Sequence, residues 1–180
     1  MKGMYKFKTS AKKDAKLKAH LFGSGAIMNQ VIEAAKLLEE KFNVTTDIWS
    51  ITSYNELRRE ALHVERWNLL NPTQTPKVPY ITQCVKNEQG VFVAASDYMK
   101  TLPDSIAKWF PQGLYSLGTD GFGRSDSRKA LRDFFEVDAR HITLATLVAL
   151  FRKGQIKQDV LTKAIKDLEI NPNKKNPMIS

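Results

Sequence analysis

Val91-Phe92-Val93-Ala94-Ala95 is an unbroken apolar run, set between the Gln89-Gly90 turn and the polar pair Ser96-Asp97. A strand with one wet face alternates apolar and polar side chains, whereas a run without alternation is typical of a strand covered on both faces. Strands of that kind belong to parallel sheets, and parallel neighbours must be joined by long crossovers, usually helical. This one run therefore asks the rest of the chain for further strands in alternation with amphipathic helices.

The chain supplies them. Tyr5 to Thr9 alternates and reads as an edge strand, followed by a lysine-rich connector from Ser10 to Lys18 and a second strand over Ala19-His20-Leu21-Phe22. Gly23-Ser24-Gly25 opens a helix whose apolar face is Met28, Val31, Ile32, Ala35, Leu38 and Phe42, at helical spacing. Asp47 to Thr52 is the next strand. Ser53-Tyr54-Asn55-Glu56 has the S-x-x-E capping pattern, so a helix starts there and must stop near Asn71-Pro72. Pro72, Pro76 and Pro79 make an irregular surface connection, and Val78 to Lys86 suits a helix or a strand equally. Beyond the apolar run, Ser96 or Asp97 is placed to cap a helix interrupted at Pro103 and reaching Phe110. Leu114 to Leu117 reads as a strand. Ser125 or Asp126 is placed to cap a helix carrying Leu131, Phe134 and Phe135; helices over Asp138 to Lys153 and through Val160 to Leu168 follow. The order predicts one α/β domain over residues 1–180: an open three-layer sheet, mostly parallel, with helices on both faces. Residues 1–18 form its basic strand and connector, and 171–180 a polar tail.

A formal charge of +9 invites a nucleic-acid reading, so its location matters. Residues 1–18 hold seven lysines against Asp14, and residues 152–180 hold seven Lys or Arg against three acids. The middle of the chain is close to neutral. A nucleic-acid groove needs basic residues interleaved with aromatics on one folded face, and only Tyr5 and Phe7 lie among the first group. Solvated basic ends, with no nucleic-acid partner, are the preferred reading. No run of eighteen apolar residues spans a membrane. Cys84 is the single cysteine, so no internal disulfide is available, which fits a reducing cytoplasm.

The stretch with the most unusual composition is Gly118-Thr119-Asp120-Gly121-Phe122-Gly123-Arg124-Ser125-Asp126-Ser127-Arg128. Between a strand and a capped helix, it is expected at the carboxyl edge of the sheet, where open α/β folds bind ligands or partners. It has no phosphate-binding P-loop pattern. Arg124 and Arg128 suit an anion, while Asp120 and Asp126 oppose one or pair with those arginines. An interface loop is preferred, with an anion site as the alternative. Gly23-Ser24-Gly25 lacks the third glycine of a dinucleotide fingerprint, where Met28 would hold helix and strand apart, and Asp47 lies at the wrong end of its strand to bind a ribose. Glu65-Arg66-Trp67-Asn68 is a dense polar patch, with Trp67 expected to pack and Glu65 and Arg66 expected to be exposed or paired across an interface. His20, His63 and His141 are far apart, with no ligand spacing for a metal and no nucleophile beside them.

Gly23-Ser24-Gly25, Ser50 to Leu57, Glu65 to Asn68, Thr75 to Ile81, Ser96 to Lys100, the 118–128 loop and Phe135 to Ala139 together resemble the C-terminal domain of the homodimeric pyruvate dehydrogenase component. The resemblance covers nearly the whole chain in order. That family is thiamine-diphosphate-dependent and akin to the transketolases, and its third domain is a mostly parallel sheet with one antiparallel edge strand. Tyr5 to Thr9 is the candidate for that strand. The resemblance implies a parent enzyme that decarboxylates pyruvate on thiamine diphosphate and Mg²⁺, then acetylates a lipoyl arm of the dihydrolipoyl acetyltransferase. It also implies that this module is non-catalytic, touching its own N-terminal and middle domains and a second subunit. Thr119-Asp120-Gly121 only imitates the G-D-G opening of the cofactor motif, and no Asn-Asn pair follows it. No catalytic, cofactor or metal residue is carried over. The chain begins where the family's third domain begins, which implies a piece of a longer enzyme or a shortened gene product.

Overall fold

The computed structural model describes residues 2–10, 12 and 16–180. In chain order the elements are β1 (Met4–Lys8), β2 (Leu17–Gly23), α1 (Met28–Lys41), β3 (Val44–Ile51), α2 (Tyr54–Leu70), α3 (Tyr80–Val85), β4 (Val91–Ala95), α4 (Thr101–Asp104), β5 (Tyr115–Leu117), α5 (Arg128–Phe134), α6 (Ala139–Arg152) and α7 (Gln158–Asp167). Single 3-10 turns at Gly25–Ile27 and Ala107–Trp109 extend the ends of their neighbours. The five strands form one sheet in the order β1-β3-β2-β4-β5. β1 pairs antiparallel with β3, and every other pairing is parallel. Tyr5 lies opposite Ser50 on that antiparallel edge, as the resemblance requires.

The apolar run occupies β4, inside the sheet, and its alternation is between two cores rather than between core and water. Val91, Val93 and Ala95 join Ala19, Leu21, Val31, Leu38, Ile142 and Leu147 on the face covered by α1 and α6, with α7 behind. Phe92 and Ala94 join Phe22, Trp49, Leu57, Ile81 and Phe110 on the face covered by α2, α3 and the 107–109 turn. Aromatic rings fill this second core, with Phe22 stacked on Trp49 at 5.7 Å and edge-on to Phe110 at 5.3 Å. Burying each such large apolar side chain contributes about 2–3 kcal/mol, so a strand shared by both cores ties the three layers together.

Helix caps fix where the elements begin. Ser53 accepts from the Glu56 amide at 3.1 Å, the first half of the expected capping box, while the Glu56 carboxylate pairs with Arg59 instead of returning to the cap. Asp138 caps α6 by accepting from the His141 amide at 3.0 Å. Gly154 ends α6, its amide returning to the Phe151 carbonyl at 2.8 Å.

One open local reading is settled and several expectations are corrected. The ambiguous Val78 to Lys86 segment is the short helix α3, started by Pro79. Neither Ser96 nor Asp97 caps a helix: the Ser96 hydroxyl accepts from the Tyr98 amide in a tight turn, and α4 starts only at Thr101. The cap of α5 is Ser127, which accepts from the Ala130 amide at 3.3 Å, rather than Ser125 or Asp126. Asp47 is not at the start of its strand, because β3 begins at Val44. Gly23 lets Met28 close in: a Cβ there would stand 2.8 Å from the Met28 sulfur, so Met28 fills the space beside β2 instead of prising helix and strand apart. The connector expected over Ser10 to Lys18 gives way to β2 at Leu17, and its residues 11 and 13–15 lie outside the described residues.

Candidate functional site

The 118–128 loop leaves β5 at the carboxyl edge of the sheet, as its place in the sequence predicts. Two backbone hydrogen bonds weld its start to the turn after β4: Ser96 N–H to the Leu117 carbonyl at 3.1 Å, and Thr119 N–H to the Tyr98 carbonyl at 2.9 Å. A Cβ on Gly118 would meet the Tyr98 carbonyl oxygen at 2.5 Å, so glycine is required for this approach. The Thr119 hydroxyl donates to the Asp97 carbonyl at 2.8 Å. Gly121 turns the loop at φ +110°, and a Cβ there would stand 2.1 Å from the Pro177 carbonyl oxygen, because the 171–180 tail runs against it. Phe122 is left 77% exposed, and Tyr98 and Met99 beside the loop start are 63% and 59% exposed.

The acids of the loop are occupied, though not by its arginines. Asp120 accepts from the Lys100 amide at 3.1 Å and pairs with the Lys100 ammonium at 3.8 Å. Its carboxylate is thus committed to the β4–α4 turn. Asp126 accepts from the Ser127 amide at 2.6 Å. Arg124 lies over the Phe134 ring, 4.2 Å from its centroid. Beneath the loop, a cavity of about 500 Å³ spans the carboxyl ends of β2, β4 and β5, reaching Ala26, Asp97 and Thr119 on those three connections. Gly121, Gly123, Arg124 and Arg128 line its other wall.

Three residues of the 65–68 patch, Glu65, Trp67 and Asn68, make contacts within the chain. The Glu65 carboxylate accepts from the Trp109 indole at 2.8 Å and from Lys108 at 2.8 Å. That hydrogen bond from Lys108 holds its carboxyl below the ordinary value, with the indole contributing. Asn68 donates to the Lys77 carbonyl at 2.9 Å and accepts from the Lys77 amide at 2.8 Å, pinning the proline-rich connection against α2. The Lys77 ammonium sits 3.8 Å from the centre of the Trp67 ring. Arg66 alone of the four is exposed, among Leu62, Leu69 and Leu70, which are exposed on the same helix.

Two polar clusters escape a linear reading: strand register assembles the first, and the meeting of α5 with α6 the second. His20 in β2 lies opposite Asp47 in β3, and Glu88 approaches from the turn before β4. The Trp49 indole donates to His20 Nδ1 at 3.3 Å, and His20 Nε2 then donates to the Gln89 carbonyl at 2.9 Å, which fixes a neutral ring. Burial, the largest influence on it, lowers the His20 pKa. Lys6 and Lys18 each pair with both Asp47 and Glu88, at 2.5 to 3.5 Å. Burial pushes the Asp47 carboxyl up, but Lys18, the Ser10 amide and Lys6 overcome it and hold it below the usual range. These two N-terminal lysines therefore neutralise an internal pair of acids rather than standing free in solvent. The second cluster joins Asp133, Asp138 and His141 and is likewise filled by cations, with Arg140 paired to both acids and Lys174 to Asp133. Each acid in the two groups has a cationic partner.

Against known proteins, the chain matches the family model described as transketolase-like TK C-terminal domain over residues 3–138. It is similar to the pyruvate dehydrogenase E1 component of Pseudomonas aeruginosa, 49% identical over 179 residues, with 99% of this chain and 20% of the relative covered. It is 43% identical over 180 residues to the pyruvate dehydrogenase E1 component of Escherichia coli strain K12, with the same shares of the two chains covered. The chain thus spans about a fifth of the length of the curated relatives it matches. In fold it is similar to the transketolase from Leishmania mexicana, with a TM-score of 0.55 at 16% identity over 84% of this chain and 18% of that one. A five-stranded mixed sheet, its antiparallel edge strand and a family match over residues 3–138 agree, and the protein belongs to the transketolase-like TK C-terminal domain family.

Proposed function

We propose that the chain is the C-terminal, non-catalytic module of a pyruvate dehydrogenase E1 component, and that its carboxyl edge makes domain and subunit contacts. The observation that carries this is the alignment of 99% of the chain with a fifth of E1 components at 43–49% identity. The parent enzyme would decarboxylate pyruvate on thiamine diphosphate and Mg²⁺, acetylate the lipoyl group of a dihydrolipoyl acetyltransferase, and work as a homodimer in the cytoplasm. In this reading the cofactor is held by the remaining four-fifths, which agrees with the commitment of Asp120 to Lys100. Phe122, Tyr98 and Met99 supply exposed apolar surface beside that edge, and Arg66 with Leu69 and Leu70 supplies a second area on α2. The 65–68 patch then serves chiefly to hold the fold, leaving Arg66 as its outward member.

The test has two arms. The isolated chain, given pyruvate, thiamine diphosphate and Mg²⁺, releases no CO₂; measurable decarboxylation overturns the non-catalytic role. In a full-length E1 component, aspartate at the position of Phe122 lowers the dimer fraction in sedimentation. An unchanged dimer removes the loop from the contact surface.

A further inference from the structure

The cavity under the loop has a composition that a simple contact surface does not require. Arg124, Arg128 and Arg132 all line it, against Asp97 as the one acid. Among the described residues, none of these three guanidiniums takes part in an ion pair, although acids are close in sequence. Asp120 is held by Lys100, Asp126 by the Ser127 amide, and Asp133 by Arg140 and Lys174. These three acids are thus spoken for and Glu136 does not line the cavity, so one lining carboxylate against three guanidiniums leaves an excess of two positive charges there. The remaining wall is apolar, formed by Ile27, Leu131, Phe135 and Val137. Its volume of about 500 Å³ is within the range of small-molecule sites, and its place outside the carboxyl ends of β2, β4 and β5 is where open α/β sheets bind them.

From this we infer that the cavity is a binding site for a small organic phosphomonoester. A phosphomonoester carries close to two negative charges at neutral pH, matching the excess, and guanidiniums recognise its oxygens through paired N–H donors. The apolar wall takes the body of the ligand, and Asp97 accepts a hydrogen bond from a hydroxyl on it. The site goes beyond the contact role: Phe122 turns outward on the loop, whereas Gly121, Gly123 and Arg124 line the cavity within.

The experiment uses the full 180-residue chain with phenyl phosphate and inorganic phosphate as probes, at low ionic strength, read by amide shifts of Gly121 and Gly123. Phenyl phosphate is expected to bind saturably and more tightly than inorganic phosphate, because only it reaches the apolar wall. Arg128→Gln and Arg132→Gln should each weaken it by about tenfold or more. Lys129→Gln removes the same charge from α5 but does not line the cavity, and should leave binding unchanged. Absence of saturation overturns the site. So does an equal loss in the Lys129 and Arg128 variants, which reduces the effect to net charge, or equal affinity for the two probes, which removes the apolar wall. All variants change polar side chains at least partly open to solvent, so a thermal melt confirms that each remains folded.

Discussion

Asp138 shows how much one side chain can be asked to do. It caps α6, accepts from the His141 ring at 2.7 Å and pairs with Arg140 at 2.9 Å. Burial works to raise its carboxyl, but His141, through ring and amide, and then Arg140 overcome it and hold the pKa at about 2 against an ordinary 3.8. A depressed carboxyl stabilises the folded state fully above its unfolded pKa, and the contribution is lost as pH falls through the folded value. The gap corresponds to about 2 kcal/mol. Asp138→Ala should therefore lower unfolding stability by about 2 kcal/mol at pH 7, with the cap included in the loss. Followed by urea denaturation, the difference between variant and parent should shrink as pH falls from about 4 to 2. A difference that persists unchanged at pH 2 would separate the cap from the charge and reject the electrostatic account. Asp138 ahead of an apolar helix was visible in the sequence as a helix start. Its partnership with Asp133 and Arg140 was not, because it depends on how α5 meets α6.

The elements divide the same way. Val91 to Ala95 and Ser53 to Glu56 announce a doubly covered strand and a helix start, because each signal lies within a few neighbouring residues. The cap of α5 was missed because Ser125, Asp126 and Ser127 are chemically equivalent candidates within three residues. His20, Asp47 and Glu88 were unreadable as a group, since two strand registers bring them together. In the loop, the glycines look alike in sequence but differ in space. Gly121→Ala forces a side chain into positive φ and into the Pro177 carbonyl, whereas a Cβ at Gly123 meets nothing within 4 Å. The first should cost roughly 1–3 kcal/mol. The second should stay within about 0.5 kcal/mol. Chemical denaturation of the two variants compares them directly, and equal costs would mean the tail does not hold the loop.

At the scale of the molecule, the last ten residues join the candidate site to the helical layer. Pro177 and Met178 lie against Gly121, and Lys174 donates to the Asp133 carbonyl at the end of α5. Truncation after Ile170 should therefore leave the five-stranded sheet intact. It should also speed amide exchange in residues 118–128 by more than about tenfold. Exchange that remains slow there would show that the bonds to Tyr98 and Asp97 are sufficient alone. The same whole-molecule view bears on the two margins of the sheet. β5 is only three residues long, and β1 carries lysines at 6 and 8 with a break in register between them. Short, charged or irregular margins resist the addition of another strand. Assembly of this protein is therefore expected to proceed through side chains on its faces and its carboxyl edge, and the sheet is guarded against the edge-to-edge stacking that seeds fibrils.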